Sequence, residues 1–537
     1  MHTASAIEQA TKLASHPKAD DQGHYLALKA RDARFDGHFF TGVVTTGIYC
    51  RPVCKVRTPR QANCRFFALA AQAEAAGFRP CMRCRPELAP SATTTPFDTA
   101  LPWSVQDASS ILARQAARLL DAAQTTPDGA ISISQIAQRL GVSDRHLRRI
   151  FEAQWGVSPL QYLQTRRLLS AKQLLTDTRL PVTQIAALSG YASVRRFNAV
   201  FVEHYRMQPT ALRKAVLAPR ATQGNALLAQ AIALKAAYRP PYDVPAMLAF
   251  FAARSLSGVE LVDLAAQCIT RTVTVQQGAQ RYSGWVQAQF VPERCEVLLR
   301  ICESLADVLP TVLVLLKDLL DLDADPQAIH AQLGAHFPHG AGARVPGTVD
   351  GFELAVRAIL GQQVTVRAAC KLASRLVQRF GVPIDTPFAP LTRLFPSAHA
   401  LAAASGDALG ALGIVRQRQQ AITALAQAVA KGDLNLRPGA DVPATLAALQ
   451  ALPGIGAWTA HYIAMRALRW PDAFPAGDVA LHKALGVQNT KHPAKEAEQA
   501  SQAWRPWRSY AVLRAWATLS ADALSVAVPT EVTTPTL

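Results

Sequence analysis

The chain has 537 residues, a length that excludes a single hydrophobic core and points to three or four domains. Half of the residues are apolar and 18% are charged, which excludes a disordered chain. A formal net charge of +18 favours a polyanionic partner, nucleic acid first. That charge is concentrated early: residues 1–218 hold 28 Lys and Arg against 15 Asp and Glu, and the remainder 28 against 23. The polar start shows no signal peptide. No apolar run reaches the ~18 residues of a membrane span; Val308–Leu322 is short and broken by Lys317 and Asp318. A cytoplasmic protein is expected. In that reducing compartment the nine cysteines suggest metal or chemistry rather than disulfides.

Three breaks divide the chain: Thr93–Pro102, Ala218–Asn225 and Gly340–Gly347. The domains expected from them are residues 15–92, 104–217, 226–345 and 346–527. The fold class is multidomain and mainly α. The first domain is a small zinc-stapled α/β unit and the second a set of short helices. The third is mixed α+β, with strand-rich runs at Thr270–Val275 and Ser283–Val291 and a helical reading over Glu293–Leu320. The fourth is Ala- and Leu-rich and all-α.

In the first domain, Cys50 and Cys54 form a C-x3-C pair and Cys81 and Cys84 a C-x2-C pair. Two close pairs can give four thiolates to one tetrahedral Zn²⁺, which would also hold a small domain together. Packing as core cysteines is disfavoured by the Arg and Pro on both sides. Cys64 reads as structural, and Cys268, Cys295, Cys302 and Cys370 as core residues. Arg51, Lys55, Arg57, Arg60, Arg65, Arg79, Arg83 and Arg85 flank the thiolates and would attract DNA phosphates. The stretches RDARFDGHFF (31–40), TTGIYCRPVCKVRTP (45–59) and AAGFRPCMRCRP (75–86) resemble the metal-binding domain of the Ada alkylation-response family. The resemblance implies that Cys50 takes a methyl group from a DNA methylphosphotriester, once only, while Cys54, Cys81 and Cys84 complete the zinc site. It places Thr46, Arg57 and Arg79 on the DNA backbone. Methylation would remove a negative charge and so weaken repulsion of DNA, a route to a damage-sensing switch.

The second domain contains an internal repeat, IAQRLGVSDRHLRRIF (136–151) and IAALSGYASVRRFNAVF (185–201), with one extra residue in the second copy. Ile136, Ala137, Gly141, Leu147 and Phe151 match Ile185, Ala186, Gly190, Phe197 and Phe201. A small residue on the first helix, Gly at the turn and a basic second helix suit helix-turn-helix geometry. Arg145, His146, Arg148 and Arg149 lie on the first candidate recognition helix, and Arg195, Arg196 and Asn198 on the second. Arg can read guanine and Asn adenine in the major groove. One copy alone would read equally as a helical hairpin with a solvated basic face. Two copies joined by a long helix (about Leu160–Thr176) resemble the AraC-type DNA-binding domain, which implies promoter DNA, and RNA polymerase, as partners.

In the fourth domain, LPGIG (452–456) permits a tight turn whose following helix offers its first N–H groups to a phosphate, a helix-hairpin-helix. This grips backbone without reading sequence. Asp478 follows Gly456 by 22 residues. A lone Asp before VALHKAL reads as a helix N-cap; after such a hairpin it reads as a carboxylate that stabilises charge at C1′ and activates water. The stretches 238–260, 345–366, the hairpin and WRPWRSYAVLRAW (504–516) resemble the AlkA-type 3-methyladenine-DNA glycosylases. The resemblance joins the third and fourth domains into one enzyme. It makes Asp478 the catalytic aspartate and lines the base pocket with Trp458, Tyr462 and Trp516, whose alternative is core packing. Aromatic faces suit a cationic alkylated base. At the wedge position AlkA itself has Leu; this chain has Gln363, which implies activity with an altered preference. Trp458 stands where lyases of this superfamily carry Lys, so hydrolysis without lyase chemistry is expected. No terminal four-Cys cluster exists, so no iron–sulfur centre is expected, and no PCHR motif appears, so the Ada-type activity on O6-alkylguanine is not expected. The combined expectation is a bacterial, nucleoid-associated monomer: a self-methylating Zn²⁺ regulator fused to a base-releasing hydrolase acting on double-stranded DNA. Its alternative is a regulator whose C-terminal half only binds DNA.

Overall fold

The computed structural model describes residues 19–91, 105–123, 132–216 and 231–525. The breaks at Ala218–Asn225 and Thr93–Pro102 lie outside these residues. The chain forms two compact units. One holds the described residues up to Asp325 together with Val382–Phe395; the other holds Pro326–Gly381 and the chain from Pro396 onward. Among the described residues no helix is long and apolar enough to cross a membrane.

The first unit opens with α1 (Ala19–Ala30) and a four-stranded sheet of β1 (Phe40–Val43), β2 (Ile48–Cys50), β3 (Cys64–Phe67) and β4 (Arg79–Pro80), in the order β3-β1-β2-β4. Only the β2/β4 pair is parallel. Helix α2 (Ala70–Ala75) packs on it, so that Tyr49, Ala73 and Phe78 share a core.

Helix α3 (Val105–Ala123) leads into the repeat. The first copy is α4 (Ile133–Arg139) and α5 (Asp144–Trp155); the second is α7 (Val182–Leu188) and α8 (Val194–Tyr205), and α9 (Pro209–Val216) closes the bundle. The 19-residue α6 (Pro159–Asp177) joins the copies. The repeat positions do the same work in both. Ile136, Ala137, Leu147 and Phe151 are buried, as are Ile185, Ala186, Phe197 and Phe201. Gly141 and Gly190 take φ of +68° and +79°, which favours glycine at each turn. Ser143 and Ser193 cap α5 and α8.

A five-stranded antiparallel sheet follows, in the order β5-β9-β8-β7-β6: β5 (Ile232–Ala237), β6 (Glu260–Asp263), β7 (Cys268–Gln277), β8 (Gln280–Val291) and β9 (Glu296–Ile301). Helices α10 (Val244–Ala252) and α11 (Leu309–Leu320) accompany it. The helical reading of Glu293–Leu320 is corrected here: residues 296–301 are a strand. Val297, Leu299 and Ile301 are buried and alternate with half-buried neighbours, a period of two that pairs with β8 on one side and β5 on the other.

Helix α6 is tied into this unit by ion pairs and hydrogen bonds. Lys172, fully buried, donates to Glu87 at 2.6 Å; Arg85 pairs with Glu87 at 2.9 Å and Asp177 at 2.6 Å. Gln173 donates to the Lys235 carbonyl of β5 at 2.8 Å. Arg239, 1% exposed, binds backbone carbonyls of Asp36, Pro90, Ser91, Asp323 and Ala324. One guanidinium thus holds the cysteine-bearing sheet module against the five-stranded domain. Residues 382–395 return to the same sheet, where Thr272 donates to the Arg393 carbonyl at 2.7 Å.

The second unit is helical: α12 (Pro326–Leu333), α13 (Gly351–Leu360), α14 (Val366–Phe380), α15 (Ala398–Ala402), α16 (Gly406–Gly410), α17 (Arg416–Lys431), α18 (Val442–Gln450), α19 (Ala457–Arg466), α20 (Val479–Ala484), α21 (Pro493–Ala500) and α22 (Arg508–Ser525). Its core includes Leu354, Ala355, Ile359, Ile422, Leu425, Ala460 and Ile463.

Candidate metal centre, active site and nucleic-acid interface

The sulfurs of Cys50, Cys54, Cys81 and Cys84 lie within 4.8 Å of one another. Four thiolates around Zn²⁺ at ~2.3 Å stand about 3.8 Å apart, so the cluster fits the ion without rearrangement. Its electrostatics also call for a cation. Hydrogen bonding among the sulfurs pushes the Cys50 and Cys84 thiols up and draws those of Cys54 and Cys81 down. Four such groups cannot all be deprotonated together unless positive charge sits among them. Among the described residues this is the one grouping that could hold a metal.

Thr46 is exposed in the β1–β2 turn leading to Cys50, and the Arg79 backbone N–H donates to the neighbouring Gly47 carbonyl at 2.9 Å. Arg57 is exposed beyond Cys54. Two of the eight flanking cations face inward instead. Arg51 is 5% exposed, ion-paired with the Asp36 carboxylate and bonded to the Cys84 carbonyl at 2.9 Å. Arg85 is held by Glu87 and Asp177. Carboxylates of the chain itself thus already hold these two cations. Cys268 is buried as expected of a core residue, whereas Cys295, Cys302 and Cys370 are only half-buried. Cys64 is also half-buried, its thiol donating to Arg60 at 3.4 Å.

On the helix-turn-helix copies, Arg145, Arg148, Arg149, Arg195 and Arg196 are exposed, and Asn198 is half-exposed. His146 is half-buried, within 3.1 Å of the Arg149 guanidinium.

In the second unit the hairpin turn lies between α18 and α19. Gly454 has φ +75°, and a Cβ there would come within 3.1 Å of the Ala421 methyl. Gly456 differs: its φ is −90°, and a Cβ would meet nothing within 4 Å. Its bareness opens the start of α19, which has no side-chain cap, to an approaching phosphate.

Twenty residues beyond Trp458, Asp478 is 9% exposed and caps α20, its Oδ1 accepting from the Leu481 N–H at 2.7 Å. The capping reading of Asp478 holds, and its Oδ2 stays free of the cap. The indole N–H of Trp458 donates to Oδ2 at 2.7 Å, and that of Trp516 donates to Oδ1 at 3.0 Å. Trp458 stacks on Tyr462 with ring centres 5.4 Å apart and planes within 7°. Trp458, Tyr462 and Trp516 are half-buried, whereas Trp504 and Trp507 are core residues at 4% and 6% exposure. Gln363 is exposed in the turn between α13 and α14 with φ +55°.

Four family models match in chain order: the metal binding domain of Ada over residues 24–87, a helix-turn-helix domain over 136–215, the AlkA N-terminal domain over 233–350, and the HhH-GPD superfamily of base excision DNA repair proteins over 356–508. A probable bifunctional transcriptional activator/DNA repair enzyme AlkA of Mycobacterium tuberculosis is 38% identical over 501 residues, covering 92% of this chain and 96% of the relative. The chain belongs to this AlkA-type bifunctional family. Two partial relatives divide the bifunctional chain between them. DNA-3-methyladenine glycosylase 2 of Escherichia coli is 37% identical over 283 residues, 52% of this chain and 95% of its own. The bifunctional transcriptional activator/DNA repair enzyme Ada of the same organism is 35% identical over 166 residues, 31% of this chain and 41% of its own.

Sequence reasoning missed three supports of this bifunctional architecture. Arg239 is one. Arg466 is another: buried, it donates to the Tyr462 hydroxyl at 2.7 Å and to the carbonyls of Pro346 and Gly347. Its place one helical turn after Tyr462 was the available signal. Gln362, beside the wedge position, is the third.

Proposed function

We propose that the chain carries out two repair reactions. In the second unit it hydrolyses the N-glycosidic bond of alkylated bases in duplex DNA. In the first it takes the methyl group of a DNA methylphosphotriester on Cys50. The observation that carries the hydrolase reading is the convergence of three N–H donors on Asp478. Each needs an oxygen lone pair, and together they fix the carboxylate's position beside three half-buried aromatic faces. A flipped base carrying alkyl-derived positive charge stacks on those rings. As its C1′–N bond breaks, the base leaves with the bonding electrons. The carboxylate stabilises the charge at C1′, and water adds there, giving its proton to the Asp478 side. The hairpin amides hold a phosphate and Gln363 fills the gap. Trp458 offers no amine, so no Schiff base forms and the strand is not cut.

In the first unit the Cys50 sulfur attacks the methyl carbon and the C–O bond breaks. The electron pair stays on the phosphate, which becomes an ordinary diester anion. Cys54, Cys81 and Cys84 complete the zinc site, and Zn²⁺ when bound keeps the four sulfurs deprotonated. The thioether has no route back, so transfer is stoichiometric. Thr46, Arg57 and Arg79 hold the backbone, and the exposed residues of α5 and α8 bind promoter DNA, where RNA polymerase is a further partner. The protein acts as a monomer in the bacterial cytoplasm on nucleoid DNA. The domains carrying these roles are 15–92, 104–217, 226–345 and 346–527. Release of free bases from methylated duplex, compared between the wild type and Asp478→Asn, tests the hydrolase. The variant should lose at least about a hundredfold in rate; equal release by both would remove Asp478 from the chemistry.

A further inference from the structure

We propose that Gln362 and Arg418 are positioning residues that lock the wedge turn to the hairpin turn, so that gripping the phosphate and filling the flipped-out gap occur at one fixed spacing. The inference rests on the glycosylase reading above and adds residues that the reading does not use.

Three elements meet at one node. The Gln362 side-chain amide donates to the Gly454 carbonyl at 2.9 Å and to the Thr459 hydroxyl at 3.0 Å. Gly454 is in the hairpin turn, and Thr459, 3% exposed, follows Trp458 on α19. The Arg418 guanidinium donates to the Gln362 backbone carbonyl. That carbonyl belongs to the peptide unit whose nitrogen is Gln363, so Arg418 fixes the plane from which the wedge residue departs. Helix α17, which carries Arg418, also packs directly on the hairpin: its Ala421 methyl is the atom nearest the position of a Gly454 Cβ.

This arrangement explains a backbone feature. Gln363 is not glycine, yet it has φ +55°. Such a conformation persists only where surrounding contacts over-determine it. Gln363 itself is exposed, as are Val364 and Val366 after it, so the ties from this turn to the hairpin and to α17 run through Gln362. The side chain proposed to enter DNA stays exposed, and its neighbour makes the bonds to the hairpin and to α17. A wedge hung on a loose turn would lose its reach; one anchored to the hairpin enters wherever the hairpin grips.

The test compares the wild type with Gln362→Leu, which keeps bulk and removes the amide. Base release is measured on duplexes with one 7-methylguanine, either paired with cytosine or set opposite thymine. Opening a mismatched base costs less, so it depends less on the wedge. The variant should lose about tenfold in kcat/KM on the paired duplex. The deficit should shrink to about twofold on the mismatched one. Arg418→Ala, acting through the other bond, should show the same pattern and serves if the Leu variant does not fold. Equal deficits on the two duplexes would mean that the pocket, not the wedge, was disturbed, and would overturn the proposal. So would no deficit at all. Failure of the wild type itself on both duplexes would instead remove the glycosylase reading and the brace with it.

Discussion

In the roles proposed for them, the cysteine cluster and the Asp478 site hold a reactive atom at DNA by opposite means. The four sulfurs come from 35 consecutive residues, and their spacing alone announces a shared ion. The Asp478 site draws on α19, α20, α22 and the turn before α14, spread over more than 150 residues. No member of it is diagnostic alone: an Asp before a helix is a cap, and a Trp is core. A centre built around a metal concentrates its donors because one ion must touch them all. A centre built from hydrogen bonds can borrow donors from any helix that passes.

The comparison sharpens when each centre is damaged in turn. The largest effect is expected for the double variant Cys81→Ser, Cys84→Ser. Metal content, by elemental analysis, should fall from about one zinc per chain to none. Next is Arg239→Met, which leaves five carbonyls in the first unit without their donor. At ~1–3 kcal/mol for a buried unsatisfied group, with partial relief by water, the unit should lose about 3 kcal/mol. Chemical denaturation should show it while the Asp478 reaction continues.

A smaller effect concerns Glu74, which sits beneath the β2 strand that ends in Cys50. Burial raises its carboxyl pKa to about 7, against hydrogen bonds from Thr165 at 2.7 Å and Tyr49 at 2.9 Å that favour the anion. Its folded-state pKa lies above the unfolded value near 4.5. The stabilisation is therefore complete below about pH 4.5 and is lost as pH rises through about 7. At about 1.4 kcal/mol per unit, the loss is at most about 3.5 kcal/mol. Glu74→Gln should flatten that part of the wild-type stability profile; an unchanged profile would remove Glu74 from it. The smallest effect is expected for Trp516→Phe, which keeps a ring and removes one donor to Asp478. Base release should fall about tenfold, the kinetic equivalent of one hydrogen bond to a charged group.

What was legible follows the same divide. The zinc site and the doubled helix-turn-helix could be read from spacing and repetition, because both are local. Residues 296–301 were misread because EVLLRI is short, apolar and adjacent to a true helix. Its strand identity depends on pairing with β8, just before it, and with β5, far earlier in the chain. Arg51 and Arg85 looked like phosphate contacts because a sequence shows charge but not the buried carboxylates of Asp36, Glu87 and Asp177 that claim it. Arg239, Gln362 and Arg418 act on backbone carbonyls, which every residue carries, so no motif marks their partners.

The central claim is that one chain carries two separable reactions. It is tested most directly by crossing Cys50→Ala with Asp478→Asn and following, on one methylated duplex, both methyl transfer to protein and release of free bases. The account predicts that Cys50→Ala loses transfer and keeps base release, that Asp478→Asn does the reverse, and that the double variant loses both. Base release that survives in Asp478→Asn, or transfer that survives in Cys50→Ala, would contradict it.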